Sequence, residues 1–309
     1  MKIVFLGTPE FAVVSLKAIL ASRHEVVAVV TPPDKPKGRG LKLHPSAVKR
    51  AALEAGLPVF QPERLKDDSF IEQLQALKAD VFVVVAFKIL PREIFTIPPL
   101  GTVNLHASLL PRYRGAAPIN WAIINGDTET GVTTMLIDEK VDTGQILLQE
   151  STPIGPEMTA GELHDILAQQ GAELLVKTLD LLEAGKIEPK QQDDAQASRA
   201  PKLNKEMMKI RFNQPVQKVY NLIRGLSPYP GAFCYYEQLQ MKIYRSTIKS
   251  EAKEAGKPGQ ILTARKGQFL VACQPGVLQI EELQLQGKKR MPVDAFLNGF
   301  HVKEGACLT

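Results

Sequence analysis

Residues 2–7 form a strand-length apolar run, residues 11–20 carry apolar side chains three and four apart, and residues 24–31 are rich in valine. An unbroken apolar run, a helical period and a second run predict β-α-β, and the crossover sets the two strands parallel. The pattern then repeats. Ser46 stands where an N-cap belongs, the helix it opens runs to residue 55, Gly56 ends it, and residues 57–60 return as a strand. After a further helix, Val81-Phe82-Val83-Val84-Val85 shows no polar alternation, as a strand buried on both faces requires. These units predict an α/β domain with a Rossmann-like, doubly wound sheet.

Strand-like content continues at residues 102–106, 131–137 and 145–149, with a helix expected over 118–125. Thr159-Ala160-Gly161-Glu162 reads as a capping box opening a long amphipathic helix to residue 181, which Gly185 would close. Residues 191–201 are polar and aperiodic. They suggest a division into a catalytic domain at 1–190, a linker at 191–208 and a smaller C-terminal domain at 209–309. In the last, a helix over 216–224 precedes short strands at 232–236, 239–244, 268–273 and 277–285, and a small OB-like β-barrel is expected.

At 309 residues, 44% hydrophobic and 23% charged, the chain has ordinary globular composition and the length of two domains. No apolar run approaches the roughly 20 residues of a membrane helix. The N-terminal run lacks an export-signal cleavage pattern, and Cys234, Cys273 and Cys307 are widely spaced and odd in number. Reduced thiols, a cytoplasmic location and a monomer with no metal site are the expectations. The net charge of +5 is unevenly placed: residues 209–309 hold 15 Lys/Arg against 7 Asp/Glu, whereas residues 1–208 hold 23 against 26. A basic C-terminal third suits a polyanionic partner.

Candidate chemistry begins with what the first turn lacks. Gly7-Thr8-Pro9-Glu10-Phe11 lies where a dinucleotide fold carries G-x-G-x-x-G, yet it has one glycine and a carboxylate in the helix's first turn, which disfavours a nicotinamide oxidoreductase. Asn104 and His106 are two apart at the end of an expected strand, so they share a face where open α/β sheets bind ligands. Asp142, in Asp142-Thr143-Gly144, is either a turn former or the carboxylate such a site needs.

The segment from Asn104 to Ala116, with N-x-H and Ser108-Leu109-Leu110-Pro111, followed by the D-x-G at Asp142, resembles the formyltransferases that use 10-formyltetrahydrofolate. That resemblance implies that Asn104, His106 and Asp142 are catalytic. It also implies that Lys88, Ile89, Leu90, Ser108, Leu109, Leu110 and Pro111 line the folate cleft, without a metal. Gly7-Thr8-Pro9-Glu10-Phe11, the basic loop at 31–43, Ala200-Pro201-Lys202-Leu203-Asn204-Lys205-Glu206 and Ile223-Arg224-Gly225-Leu226-Ser227-Pro228-Tyr229-Pro230-Gly231-Ala232 are similar to the branch acting on initiator methionyl-tRNA. By that likeness Lys35, Lys37, Arg39 and Lys42 touch the acceptor stem, and Lys205, in the linker, also contacts the tRNA. The run Lys288, Lys289 and Arg290 is expected to follow tRNA phosphates because it concentrates charge in the basic third. Phe87-Lys88 and Ile210-Arg211-Phe212 depart from the family pattern. A sugar-amine formyltransferase with the same donor, and a noncatalytic RNA-binding protein on the same fold, are the competing readings.

Overall fold

Four apolar side chains buried in succession, Ile3 to Leu6, make the first strand the spine of a sheet, as the sequence pattern requires. The computed structural model describes residues 1–37, 42–251 and 256–309. Its elements begin with β1 (Lys2–Gly7), α1 (Glu10–Leu20), β2 (Glu25–Val30), β3 (Lys35–Lys37), β4 (Lys42–His44), α2 (Ala47–Glu54), β5 (Val59–Phe60), α3 (Asp68–Ala76) and β6 (Val81–Val85). Next come α4 (Arg92–Phe95), β7 (Thr102–His106), β8 (Arg114–Gly115), α5 (Pro118–Ile124), β9 (Glu129–Leu136), β10 (Ile146–Pro153), α6 (Ala160–Glu183) and β11 (Arg199–Ala200). The last third holds α7 (Val216–Gly225), β12 (Ala232–Tyr236), β13 (Leu239–Ser250), β14 (Ile261–Arg265), β15 (Gln268–Ala272), β16 (Val277–Leu285), β17 (Met291–Pro292) and α8 (Val293–Gly299).

Among the described residues the chain divides into two compact units. The first comprises Met1–Ala116, Thr130–Thr152 and His164–Ala200. Its sheet runs β10-β9-β7-β6-β1-β2-β5, parallel from β7 to β5 and antiparallel where β9 meets β7. Strand order reverses direction about β1 and β6, so their carboxyl ends flank the crevice of a doubly wound sheet. One face of the sheet packs Val4, Leu6, Phe82 and Val84 against Phe70 and Leu74 of α3 and Ile94 of α4. Phe82 is fully buried, and truncating it to alanine would cost roughly 3–5 kcal/mol. At β7, α6 comes close enough that a Cβ on Gly171 would stand 2.9 Å from Leu105, so the neighbouring Asn104 and His106 project from the other face.

Caps form as the sequence implies. Ser46 Oγ accepts from Lys49 N at the start of α2, while Thr159 and Glu162 exchange reciprocal bonds at the start of α6. The polar segment after α6 is built into this unit: β11 pairs in parallel with β8, aligning Arg199 with Arg114 and Ala200 with Gly115.

The second unit comprises Ala117–Glu129, Pro153–Leu163 and Pro201–Thr309. It takes α5, whose Asn120 donates to Gly225 O across an approach that leaves no room for a Cβ on Gly225. Its strands run antiparallel in the order β12-β13-β16-β15-β14, with β17 on β16. Thr309 exchanges backbone bonds with Tyr235 of β12, while Ala306 and Gly305 bond Ile261 of β14. The C-terminal segment therefore joins the two edge strands and closes a small barrel around Ile243, Phe269, Leu278 and Ile280. Ile210 and Phe212, at a departure from the family pattern, are buried in the same core.

Candidate active site

The site grows from the carboxyl end of β7. Backbone pairing of Asn104 with Val84 and Met135 fixes its position, and among the described residues its half-buried carboxamide has no hydrogen-bond partner. His106 is buried, and its Nε2 lies 2.9 Å from Tyr113 O. A carbonyl can only accept, so Nε2 carries the proton and Nδ1 faces the opposite way. There the Asp142 carboxylate lies 3.7 Å from Nδ1 and accepts the Gly115 N–H at 2.8 Å. The three residues implied by N-x-H and D-x-G therefore meet at one strand end, although Asp142 is 36 positions beyond His106 in the chain.

Two glycines make the arrangement possible. A Cβ on Gly144 would stand 1.6 Å from Leu136 O, and one on Gly115 would stand 2.4 Å from Ala200 O. Each loop thus folds directly onto a neighbouring backbone.

The loop of Ser108, Leu109, Leu110 and Pro111 is anchored from below. Thr133 Oγ1 donates to Ser108 O at 2.6 Å and accepts from Leu110 N, while Gln149 Nε2 donates to Leu110 O and to Thr133 Oγ1. Ser108 and Leu110 are buried, with the Ser108 hydroxyl donating to Arg112 O, whereas Leu109 and Pro111 are half-buried. In the segment after β6, Lys88 and Ile89 are exposed, Ile89 at 75%, but Leu90 points into the core with Ile94 and Phe95. An exposed isoleucine after β6 and a free carboxamide on the adjacent β7 suit a ligand with an apolar ring and a polar reacting group. Sequence reasoning passed over Thr133 and Gln149. The polar pair Thr133-Thr134 inside a buried strand was the available signal, because buried hydroxyls need partners.

The basic positions are spread more widely. Lys35 is exposed, the backbones of Lys37 and Lys42 pair across β3 and β4, and Arg39 lies outside the described residues. Lys49 donates to Asp34 at 2.7 Å at the base of this hairpin, and with Gln61 beside it holds the Asp34 carboxyl below its usual range. In the second unit Lys205, Lys288 and Lys289 are exposed. Arg290 instead contacts Glu282 at 2.5 Å, with its guanidinium 4.3 Å from the centre of the Tyr244 ring. A distinct acidic grouping, Asp180 and Glu183 beside His24, has Arg23 within 2.7 and 2.8 Å of its two carboxylates.

A parallel sheet ending in N-x-H, faced by the carboxylate of D-x-G, defines the core of a formyl transferase. The formyl transferase model matches residues 1–179, and that of the formyl transferase C-terminal domain matches residues 202–301. Methionyl-tRNA formyltransferase from Trichlorobacter lovleyi is 50% identical over 308 residues, covering 99% of this chain and 96% of that protein. The one from Pelobacter propionicus is 50% identical over 307 residues, covering 99% and 95%. An N-formyltransferase from Helicobacter canadensis, solved with folinic acid and dTDP-3-aminofucose, superposes with a TM-score of 0.68 at 22% identity, over 91% of this chain and 98% of that one. The chain belongs to the formyl transferase family, in its methionyl-tRNA formyltransferase branch.

Proposed function

We propose that the chain transfers the formyl group of 10-formyltetrahydrofolate to the α-amino group of methionine on initiator tRNA, with Asn104, His106 and Asp142 as the catalytic residues. The observation that carries this reading is the meeting of a free carboxamide, an imidazole with Nδ1 directed into the site and a carboxylate 3.7 Å away at one strand end. The donor supplies a formyl group activated by its attachment to N10. Asn104 donates an N–H to the formyl oxygen, and His106 in its protonated form stabilises the charge that grows there. As the amine N–C bond forms and the N10–C bond breaks, Asp142 and a water it orients carry the amine proton toward N10.

Lys88, Ile89 and the loop from Ser108 to Pro111 form the folate cleft in this reading, with Leu90 supporting it from the core. Lys35, Lys37, Arg39, Lys42, Lys205, Lys288, Lys289 and Arg290 contact the tRNA. Catalysis belongs to residues 1–190, onto which residues 191–200 of the 191–208 linker are packed, and residues 209–309 bind tRNA. The protein works as a monomer in the cytoplasm; among its described residues no helix is long and apolar enough to cross a membrane.

The deciding experiment supplies 10-formyltetrahydrofolate with charged initiator tRNA and, separately, with nucleotide-linked amino sugars. Formylmethionyl-tRNA should form. Transfer only to the sugar would replace this reading with the sugar-amine one, and tRNA binding without transfer would make the protein a noncatalytic binder.

A further inference from the structure

The Gln192 side chain is buried on a segment otherwise exposed from Gln191 to Ala197. Its Nε2 donates to Asp142 O at 3.0 Å and to Gly144 O at 2.7 Å. Its Oε1 accepts from Arg114 Nε at 3.0 Å and from Arg114 Nη2 at 2.8 Å. A primary amide has two donor hydrogens and two acceptor lone pairs, and all four are used. The orientation follows from the partners: two carbonyls can only accept and a guanidinium can only donate.

These bonds close a ring around the carboxylate. Arg114 is bonded in sequence to Gly115, whose N–H holds Asp142 Oδ2 at 2.8 Å, and Asp142 returns to Gln192 through its own carbonyl. On the other side of Arg114, Tyr113 O receives His106 Nε2. Residues 113–115 thus touch, in order, the histidine, the glutamine and the aspartate. The same strand end is fastened again by Ser198, whose Oγ accepts from Tyr113 N and whose carbonyl accepts from Arg114 N. Asp142 itself has φ of 57°, in the left-handed region, which aspartate enters more readily than most non-glycine residues and which suits its place in a turn.

We propose that Gln192 is a positioning residue for formyl transfer: from the segment after the long helix, it sets Asp142 against His106 by clamping the Asp142–Gly144 backbone to Arg114. It touches no reacting atom and acts through Asp142. The inference rests on the assignment of Asp142 to the chemistry. Glutamate at this position would keep the Arg114 contact but set an oxygen against two carbonyls, so Gln192→Glu separates the clamp from the packing.

The test measures kcat and both KM values for Gln192→Glu and Gln192→Met, alone and combined with Asp142→Asn, with folate-analogue binding and hydrogen exchange of residues 138–144 in the ligand-free protein. Expected are a fall in kcat of at least roughly 30-fold, KM and analogue affinity within threefold, faster exchange at 138–144, and little added loss in the Asp142→Asn background. Parental kcat in Gln192→Glu would overturn the proposal, as would a loss of equal size in both backgrounds or failure of both variants to fold, which would make the role one of stability. Asp142→Asn alone at parental kcat would instead fault the catalytic assignment, a result distinguishable from these.

Discussion

Gly144 sits two residues from the carboxylate and against the end of β9, which makes Gly144→Ala a sharp test of how tightly the D-x-G loop must be held. The new methyl would be placed 1.6 Å from Leu136 O and 2.8 Å from Leu136 C, whereas real Cβ contacts essentially never fall below 3.0 Å. The loop must therefore retreat by about 1.4 Å, with backbone on both sides and no flexible side-chain end to yield. That retreat pulls on the bond from Leu136 N to Gln145 O and on the one Gln192 gives to Gly144 O, each contributing roughly 0.5–1.5 kcal/mol. A misplacement of about 1 Å can cost about 10²-fold in rate. We expect Gly144→Ala to lose at least about 10²-fold in kcat, with a folate KM within a fewfold of the parent and about 1–3 kcal/mol less stability. Single-turnover formation of formylmethionyl-tRNA reads the first and a denaturant melt the last. Gly299→Ala is the control, since a Cβ there meets nothing within 4 Å. A folded Gly144→Ala protein with kcat within threefold of the parent would refute the reasoning, because the carboxylate's position would then not matter.

Asn104→Ala should lower kcat by roughly 10²–10³-fold while leaving folate binding nearly intact, measured by single-turnover transfer and analogue titration. Cys234 and Cys273 are buried, and loss of solvent around the thiol pushes each up to about 12, so both stay protonated below that pH; alkylation of the native protein at pH 8 should modify Cys307 alone, read by mass spectrometry. Lys288→Gln with Lys289→Gln should flatten the dependence of log K for tRNA on log salt by roughly 0.7–0.9 for each phosphate no longer neutralised, while Arg290→Gln, whose parent residue is already held by Glu282 and Tyr244, should change that slope less in fluorescence titration.

The parts of the fold that were legible carry their information locally. Residues 2–7, 102–106, 232–236 and 277–285 are strands with the expected bounds, because each has a sustained apolar pattern ended by a turn former or a polar break. The capping box at Thr159 formed for the same reason: both partners lie within four residues. What escaped depends on distant partners. β8 and β11 have two residues each, too few for any period, and exist because Ala200 meets Gly115 across 85 positions. β13 runs six residues past the expected end because register shifts after Ile243, Arg245 and Ile248 scramble the alternation that would have marked it. Barrel closure by residues 305–309 rests on backbone bonds to β12 and β14, which no side-chain pattern records. The expected loop at 31–43 likewise holds β3 and runs into β4, strands of three residues each that pair with one another.

The candidate site divides along the same line. Its candidate side chains were legible through two signals: strand spacing put Asn104 and His106 on one face, and the resemblance to formyltransferases singled out Asp142. Their orientation was not, because it is imposed largely by main-chain atoms: Tyr113 O fixes the His106 proton, Gly115 N holds the Asp142 carboxylate, and the carbonyls of Asp142 and Gly144 receive Gln192. Any residue type supplies such atoms, so the sequence marks them only where a side chain would obstruct them, as at Gly115 and Gly144. Function should therefore suffer from the addition of one methyl at Gly115, where 2.4 Å separates the new carbon from Ala200 O, although that position contributes only a backbone N–H to the site.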